Sequence, residues 1–207
     1  ELTAAKRLVR WLRSTYGGWI DILIGDALYA NGPFFTLSAE CGFGVLAVVK
    51  KETDEPLREA LALWRRQPGP DEVVRDEGAG ERMEIWDCAG LTTLDTYKGP
   101  IRVVRAVVHR DGVEKPTTFC FAATGKAAKL PRQSVVLVGR SRWHIENTAF
   151  NQWTQYWHFT HVFAHSAAGT DALLWILVLA FNLMQFFLYR QLRCYGRDRG
   201  KDVTQTI

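Results

Sequence analysis

The chain has 207 residues, 47% of them hydrophobic and 23% charged, with a formal net charge of +4. Those proportions exclude a disordered or low-complexity chain and leave room for one sizeable domain or a domain carrying an insertion. Four widely spaced cysteines (Cys41, Cys88, Cys120 and Cys194) include no C-x-x-C pair, which argues against a disulfide framework or zinc knuckle and for reduced thiols in a cytoplasmic protein.

The opening "ELTAAKRLVRWL" reads as mid-helix, with neither an initiator methionine nor a signal pattern, so an N-terminally truncated fragment is expected. Over residues 2–15, Leu2, Ala5, Leu8, Val9 and Leu12 share one helical face, and Lys6, Arg7, Arg10 and Arg13 fall mostly on the other. Gly17 and Gly18 end that helix. "WIDILIG" predicts a short buried strand, and Asp26 stands just past its end. In "NGPFF", Asn31 is a candidate cap and Pro33 a first-turn residue of a second helix, which Gly42 ends. "FGVLAVVKK" predicts a second strand. Helix, strand, helix, strand argues for an α/β sheet with crossover connections.

A helix over about 55–66 follows, and then "RQPGPDEVVRDEGAGE" reads as a loop rich in Pro, Gly and acid. "MEIWDCAGL", "PIRVVRAVVHRDG" and "KPTTFCFAAT" predict three strands, with Asp111-Gly112 as a hairpin-type turn. From Pro131 the helical pattern resumes and runs through "SVVLVGRSRWHIENTAFNQWTQYW". "DALLWILVLAFNLMQFFLYR" predicts a long apolar helix, followed by a basic polar tail over 191–207. The expected organisation is an α/β core over 1–50 and 131–190, interrupted by a β-rich insertion over 51–130.

Charge is unevenly spread. Residues 52–95 hold twelve acids against five basic residues, a balance of −7, so the rest of the chain carries +11. Between Lys115 and Ile145 stand Lys115, Lys126, Lys129, Arg132, Arg140 and Arg142, with no acid. A basic run leading to a candidate site suits a phosphate backbone, which rewards clustered Lys and Arg by counterion release; a solvated face is the plain alternative.

Two carboxylates stand out. Glu146 lies among aromatic and aliphatic residues in "SRWHIENTAFNQW", four residues after Arg142 and on the same helical face. Burying such an acid is costly unless it is paired, protonated or bound to a cation. Asp26 stands at the end of a strand, where open α/β sheets place their ligands. Together they are oxygen donors of the kind that hold Mg²⁺ in phosphoryl-transfer sites.

"GDALYANGPFF" and "RWHIENTAFN" resemble the second and third acidic motifs of DDE-type insertion-sequence transposases. The resemblance implies an RNase H-like core. It matches Asp26 to the Asp of a D-x-L-Y type motif, and Arg142 and Glu146 to the R and E of a Y-x-x-R-x-x-x-E-x-x-x-x-x-x-K signature. Gly139 stands where that signature has tyrosine, and Trp153 where it has lysine. The resemblance implies metal-dependent DNA cleavage and strand transfer, with Asp26 and Glu146 as catalytic ligands of Mg²⁺ (or Mn²⁺). It also implies that Arg142, Arg140, Arg132, Lys129 and Lys126 contact DNA, both transposon ends and target, with a homodimer as a possible assembly. The family's first Asp would lie upstream of Glu1, and Asp21, on the opposite face of the strand, cannot replace it. The chain as given is therefore expected to be inactive.

Other readings stay open. His158, His161 and His165 have a spacing that could bind zinc from one helix face, though a packed or solvent-facing cluster suits them as well. Residues 172–189 carry no charge and are long enough to cross a bilayer. A membrane-anchored interaction protein is thus the second function class, and an RNase H-like nuclease the third. The transposase reading instead packs the apolar helix on the core, with no membrane.

Overall fold

A computed structural model describes residues 1–50, 54–78, 80–161, 164–188 and 190. The basic tail over 191–207 and Cys194 lie outside the described residues. The chain divides into two compact units, Glu1–Ile145 and Glu146–Ile207.

The first unit is a mixed α/β structure. Helix α1 (Leu2–Tyr16) leads into strand β1 (Ile22–Gly25), a 3₁₀ turn (Ala27–Tyr29), helix α2 (Gly32–Glu40) and strand β2 (Gly44–Val48). Helix α3 (Glu55–Trp64) follows, then β3 (Glu72–Asp76), β4 (Glu81–Leu91), β5 (Ile101–Arg110) and β6 (Thr117–Thr124). A second 3₁₀ turn (Ala127–Lys129) and helix α4 (Arg132–His144) complete it. The strands form one sheet in the order β1-β2-β6-β5-β4-β3. Only β1 and β2 run parallel, and every other neighbouring pair is antiparallel. The strands between residues 72 and 124 therefore extend the β1–β2 sheet, joined to it through β2 and β6.

Alternation along the strands sends side chains to opposite faces, and each face is roofed by helix. On one side Val45, Ala47, Val103 and Ala122 pack under Val9 of α1, Phe34, Phe35 and Leu37 of α2, and Leu57, Ala60 and Trp64 of α3. On the other, Leu46, Ile85, Val104 and Phe121 pack under Val135 and Val136 of α4. Each fully buried Phe or Leu stabilises the fold by roughly 2 kcal/mol. Gly139 sets how closely α4 approaches: a Cβ there would collide with the Phe121 ring. A tyrosine, which the resemblance expects at 139, cannot occupy this packing.

Local signals explain most elements. The Asn31 side chain accepts the N–H of Phe34 at 3.0 Å and caps α2. Gly17, at φ +56°, closes α1 by donating to the Arg13 carbonyl. One segment departs from expectation. Residues 72–76 form β3 where the sequence reads as loop, because β4 supplies a full antiparallel register from Glu72↔Ile85 to Asp76↔Glu81.

A π-helical turn (Ile145–Phe150) starts on the last residue of the first unit and runs into the short helix α5 (Asn151–Gln155) of the second, where helix α6 spans Ala167–Phe187. Trp153 packs against Phe150, Phe159 and Phe181 with ring centroids 5.7, 5.2 and 5.3 Å away. Gln185 donates to Gln152 at 2.9 Å. Trp153, standing where the motif has lysine, is thus an aromatic anchor of this unit. Helix α6 is long and apolar enough to cross a membrane, with mean hydropathy 1.7 over its best window, of which 6% is buried. His158, His161 and His165 lie outside regular helix, and His158 takes φ +50°, so they do not share one helix face.

Candidate catalytic acids and their basic surroundings

Strand β1 delivers Asp26 to the carboxyl end of the parallel pair, one residue after the Gly25↔Ala47 register position. Its backbone is extended (φ −83°, ψ −171°), and its carboxylate Oδ1 accepts the Leu28 N–H at 2.9 Å, capping the 3₁₀ turn. That bond fixes the direction of a half-buried carboxylate. The turn also places Tyr29, whose hydroxyl donates to Glu1 Oε1 at 3.1 Å. Burial pushes the Tyr29 hydroxyl pKa up, and the hydrogen bond and charge of Glu1 and then the charge of Asp26 push it further. The amino end of α1 is thereby tied to the turn that carries Asp26.

Glu146 falls on the π-helical turn that follows α4; its side chain lies outside the described residues. Arg142, four positions earlier on α4, is half-buried with its guanidinium carbon 5.2 Å from the Trp143 ring centroid. Among the described residues no group of three or more His, Cys, Asp and Glu is arranged to hold a metal ion. The candidate donors are carboxylate oxygens. That is a hard set, chemically suited to Mg²⁺ or Mn²⁺ rather than to a soft metal.

The basic run does not face solvent alone. Arg140 donates to both Glu81 oxygens, at 2.9 and 3.1 Å, and lies over the Phe119 ring. Arg110 also donates to Glu81, at 2.7 Å. Burial works against these bonds, yet the Arg140 hydrogen bond above all, with Arg110 beside it, lowers the Glu81 carboxyl to about 2. Arg132 reaches Asp87 at 3.4 Å and Glu72 at 3.7 Å. Lys126 pairs with Asp21, both largely exposed. Lys129 is exposed. The acids of β3 and β4 meet the basic run. The reason is strand pairing: β3, β4 and β5 set Glu72, Glu81 and Asp87 in rows facing α4, which sequence distance hides.

Cations on α1 have no such partners. Lys6, Arg7, Arg10 and Arg13 form no ion pair among the described residues. The sequence shows their spacing, but only the folded surroundings show that their charge is uncompensated.

Residues 1–183 match the model of a family described as transposase DDE domain, a span that includes Asp26, Arg142 and Glu146. No curated protein matches the chain.

Proposed function

We propose, because the chain belongs to the transposase DDE-domain family, that Asp26 and Glu146 are two of the carboxylates of its catalytic centre. Membership supplies the coarse statement: the enzyme class is polynucleotidyl transfer, the substrate is DNA, and the chemistry is strand cleavage and transfer. The finer reading is that the α1–β1–α2–β2 segment belongs to an RNase H-like core, with the strands of 72–124 as a β-rich insertion and α4 leading to the Glu helix. The observation that carries it is Asp26, held by the Leu28 N–H at the carboxyl end of the sheet's one parallel pair.

Asp26 and Glu146 would hold Mg²⁺ or Mn²⁺, which when bound activates the attacking oxygen and neutralises charge on the leaving one. The Leu28 N–H orients the Asp26 carboxylate, so that little reorganisation is needed when a cation arrives. Phosphate contacts fall to exposed Lys129, to Arg142, and to Lys126, Arg132 and Arg140 in so far as the acids paired with them yield to DNA. The protein acts on transposon ends and target DNA in the cytoplasm.

The test uses protein expressed from its complete reading frame. Asp26→Asn and Glu146→Gln each remove Mg²⁺-dependent nicking of plasmid DNA by about 100-fold or more, while DNA affinity stays within about twofold. Mn²⁺ affinity, read by calorimetry, falls in both variants. Unchanged nicking and Mn²⁺ binding in Asp26→Asn would remove Asp26 from the centre.

A further inference from the structure

Trp19 is 93% exposed, the most exposed large apolar side chain among the described residues. It stands in the turn after α1, its backbone N–H donating to the Tyr16 carbonyl at 3.1 Å. Trp11 and Tyr16, 51% and 46% exposed, meet edge to face 5.6 Å apart on the same end of the helix. Three exposed aromatic rings at one helix end are unusual for a solvated surface, since apolar patches of that kind mark binding sites. Along the same helix, Lys6, Arg10 and Arg13 repeat at i, i+4 and i+7, and so form one stripe, with Arg7 beside it. Arg7, Arg10 and Arg13 are exposed and Lys6 half-buried. Arg13 donates to the Gly17 carbonyl at 3.0 Å, and none of the four forms an ion pair with an acid among the described residues, in contrast to Arg132, Arg140 and Lys126.

We propose that α1 and the Trp19 turn form a separate DNA-contact surface, in which the stripe holds the phosphates of one strand and Trp19 stacks on an unpaired base. This rests on DNA being the substrate. A duplex presents its bases edge-on in the grooves, so a freely projecting indole gains stacking only from a base that is unpaired or turned out of the helix. Cations alone would suit any phosphate backbone. Cations followed by a projecting aromatic suit a strand whose bases are accessible. The surface is linked to Asp26: α1 begins at the Glu1–Tyr29 bond beside the Asp26 turn and ends, about 22 Å on, at the aromatic end. A strand laid along it covers about six nucleotides, counted from roughly 3.4 Å per nucleotide.

The test measures binding of the full chain, by fluorescence anisotropy, to two labelled probes: a fully paired duplex and the same duplex with a single-stranded overhang. Trp19→Ala weakens overhang binding about tenfold and leaves the duplex within about twofold, and Trp19→Phe restores most of the loss. Arg7→Ala, Arg10→Ala and Arg13→Ala together lower the slope of log affinity against log salt by about two on the overhang. Equal effects of Trp19→Ala on both probes, or none on either, overturn the stacking assignment. An unchanged salt slope overturns the phosphate stripe. If wild-type protein binds neither probe, the DNA reading itself falls; if it binds both and the α1 variants bind as wild type does, only the α1 surface falls.

Discussion

Helices α1 and α4 both carry rows of basic residues, yet the fold treats the two rows oppositely. On α4 the guanidinium groups of Arg132 and Arg140 close onto acids of the β3–β4 strands. On α1 the cations form no ion pair among the described residues and run towards exposed aromatic rings. The lesson is that a charge run states a supply of cations and not its use. Partners brought in by strand pairing decide whether the charge fastens the protein to itself or stays available to a ligand.

The sharpest way to break the comparison is to remove a fastening charge where it is buried. Arg102, 12% exposed, forms a two-point pair with Asp87 and also donates to the Ala128 and Leu130 carbonyls, anchoring the segment that leads into α4. Asp87→Ala leaves that guanidinium buried without its carboxylate and should lower stability by about 3 kcal/mol, read from the urea midpoint. The paired change Asp87→Leu with Arg102→Met should cost much less, since no charge is stranded.

Glu81 gives an effect of slightly smaller size with a pH signature. Its carboxyl lies at about 2 in the fold against an ordinary value of 4.5. Its stabilisation is complete above about pH 5 and is lost as pH falls through 4.5 towards 2, amounting to about 2 to 3 kcal/mol. Glu81→Gln should flatten the acid limb of a stability–pH curve in that window and change little at low pH. Wild-type and variant curves that fall in parallel between pH 5 and pH 2 would show that the Arg140–Glu81–Arg110 contact fastens nothing.

The smallest effects separate paired from unpaired charge most cleanly. Lys126→Ala removes an exposed pair with Asp21 and should shift stability by less than about 1 kcal/mol. Arg10→Ala, with no ion pair to lose among the described residues, should shift it by less than about 0.5 kcal/mol, as thermal unfolding would show. A larger loss at Arg10 than at Lys126 would reverse the assignment of fastening and free charge.

Much of the architecture was legible in the sequence, element by element. The α1 apolar face, the Asn31 cap, the strands at 22–25 and 44–48 and the three strands between 81 and 124 all follow from periodicity and turn residues. Strand β3 was not legible. Glu72, Arg75 and Asp76 read as a loop, and their strand conformation comes from pairing with β4, a partner that local pattern cannot name. Asp26 was legible as the residue just past a strand, and it stands one residue after β1, although that strand is half-buried to exposed rather than buried as its sequence suggested. The neutralisation of Arg132 and Arg140 was not, since Glu81 and Arg140 lie 59 residues apart in sequence. Exposure of α6 was equally hidden: an apolar helix reads the same whether it is covered or bare, and here Phe181 is its one buried side chain among the described residues.

Gly139 and Phe121 illustrate a constraint that belongs to neither residue. The helix gives up a side chain so that the aromatic ring beneath can lie against its backbone. Volume is thus shared between two positions on different elements, and the sum matters more than either share. Glycine inside a helix costs about 1 kcal/mol relative to alanine, so a methyl group at 139 would be welcome locally and unwelcome globally. The two positions can drift in sequence only as a couple, a smaller ring at 121 opening the way to a larger side chain at 139.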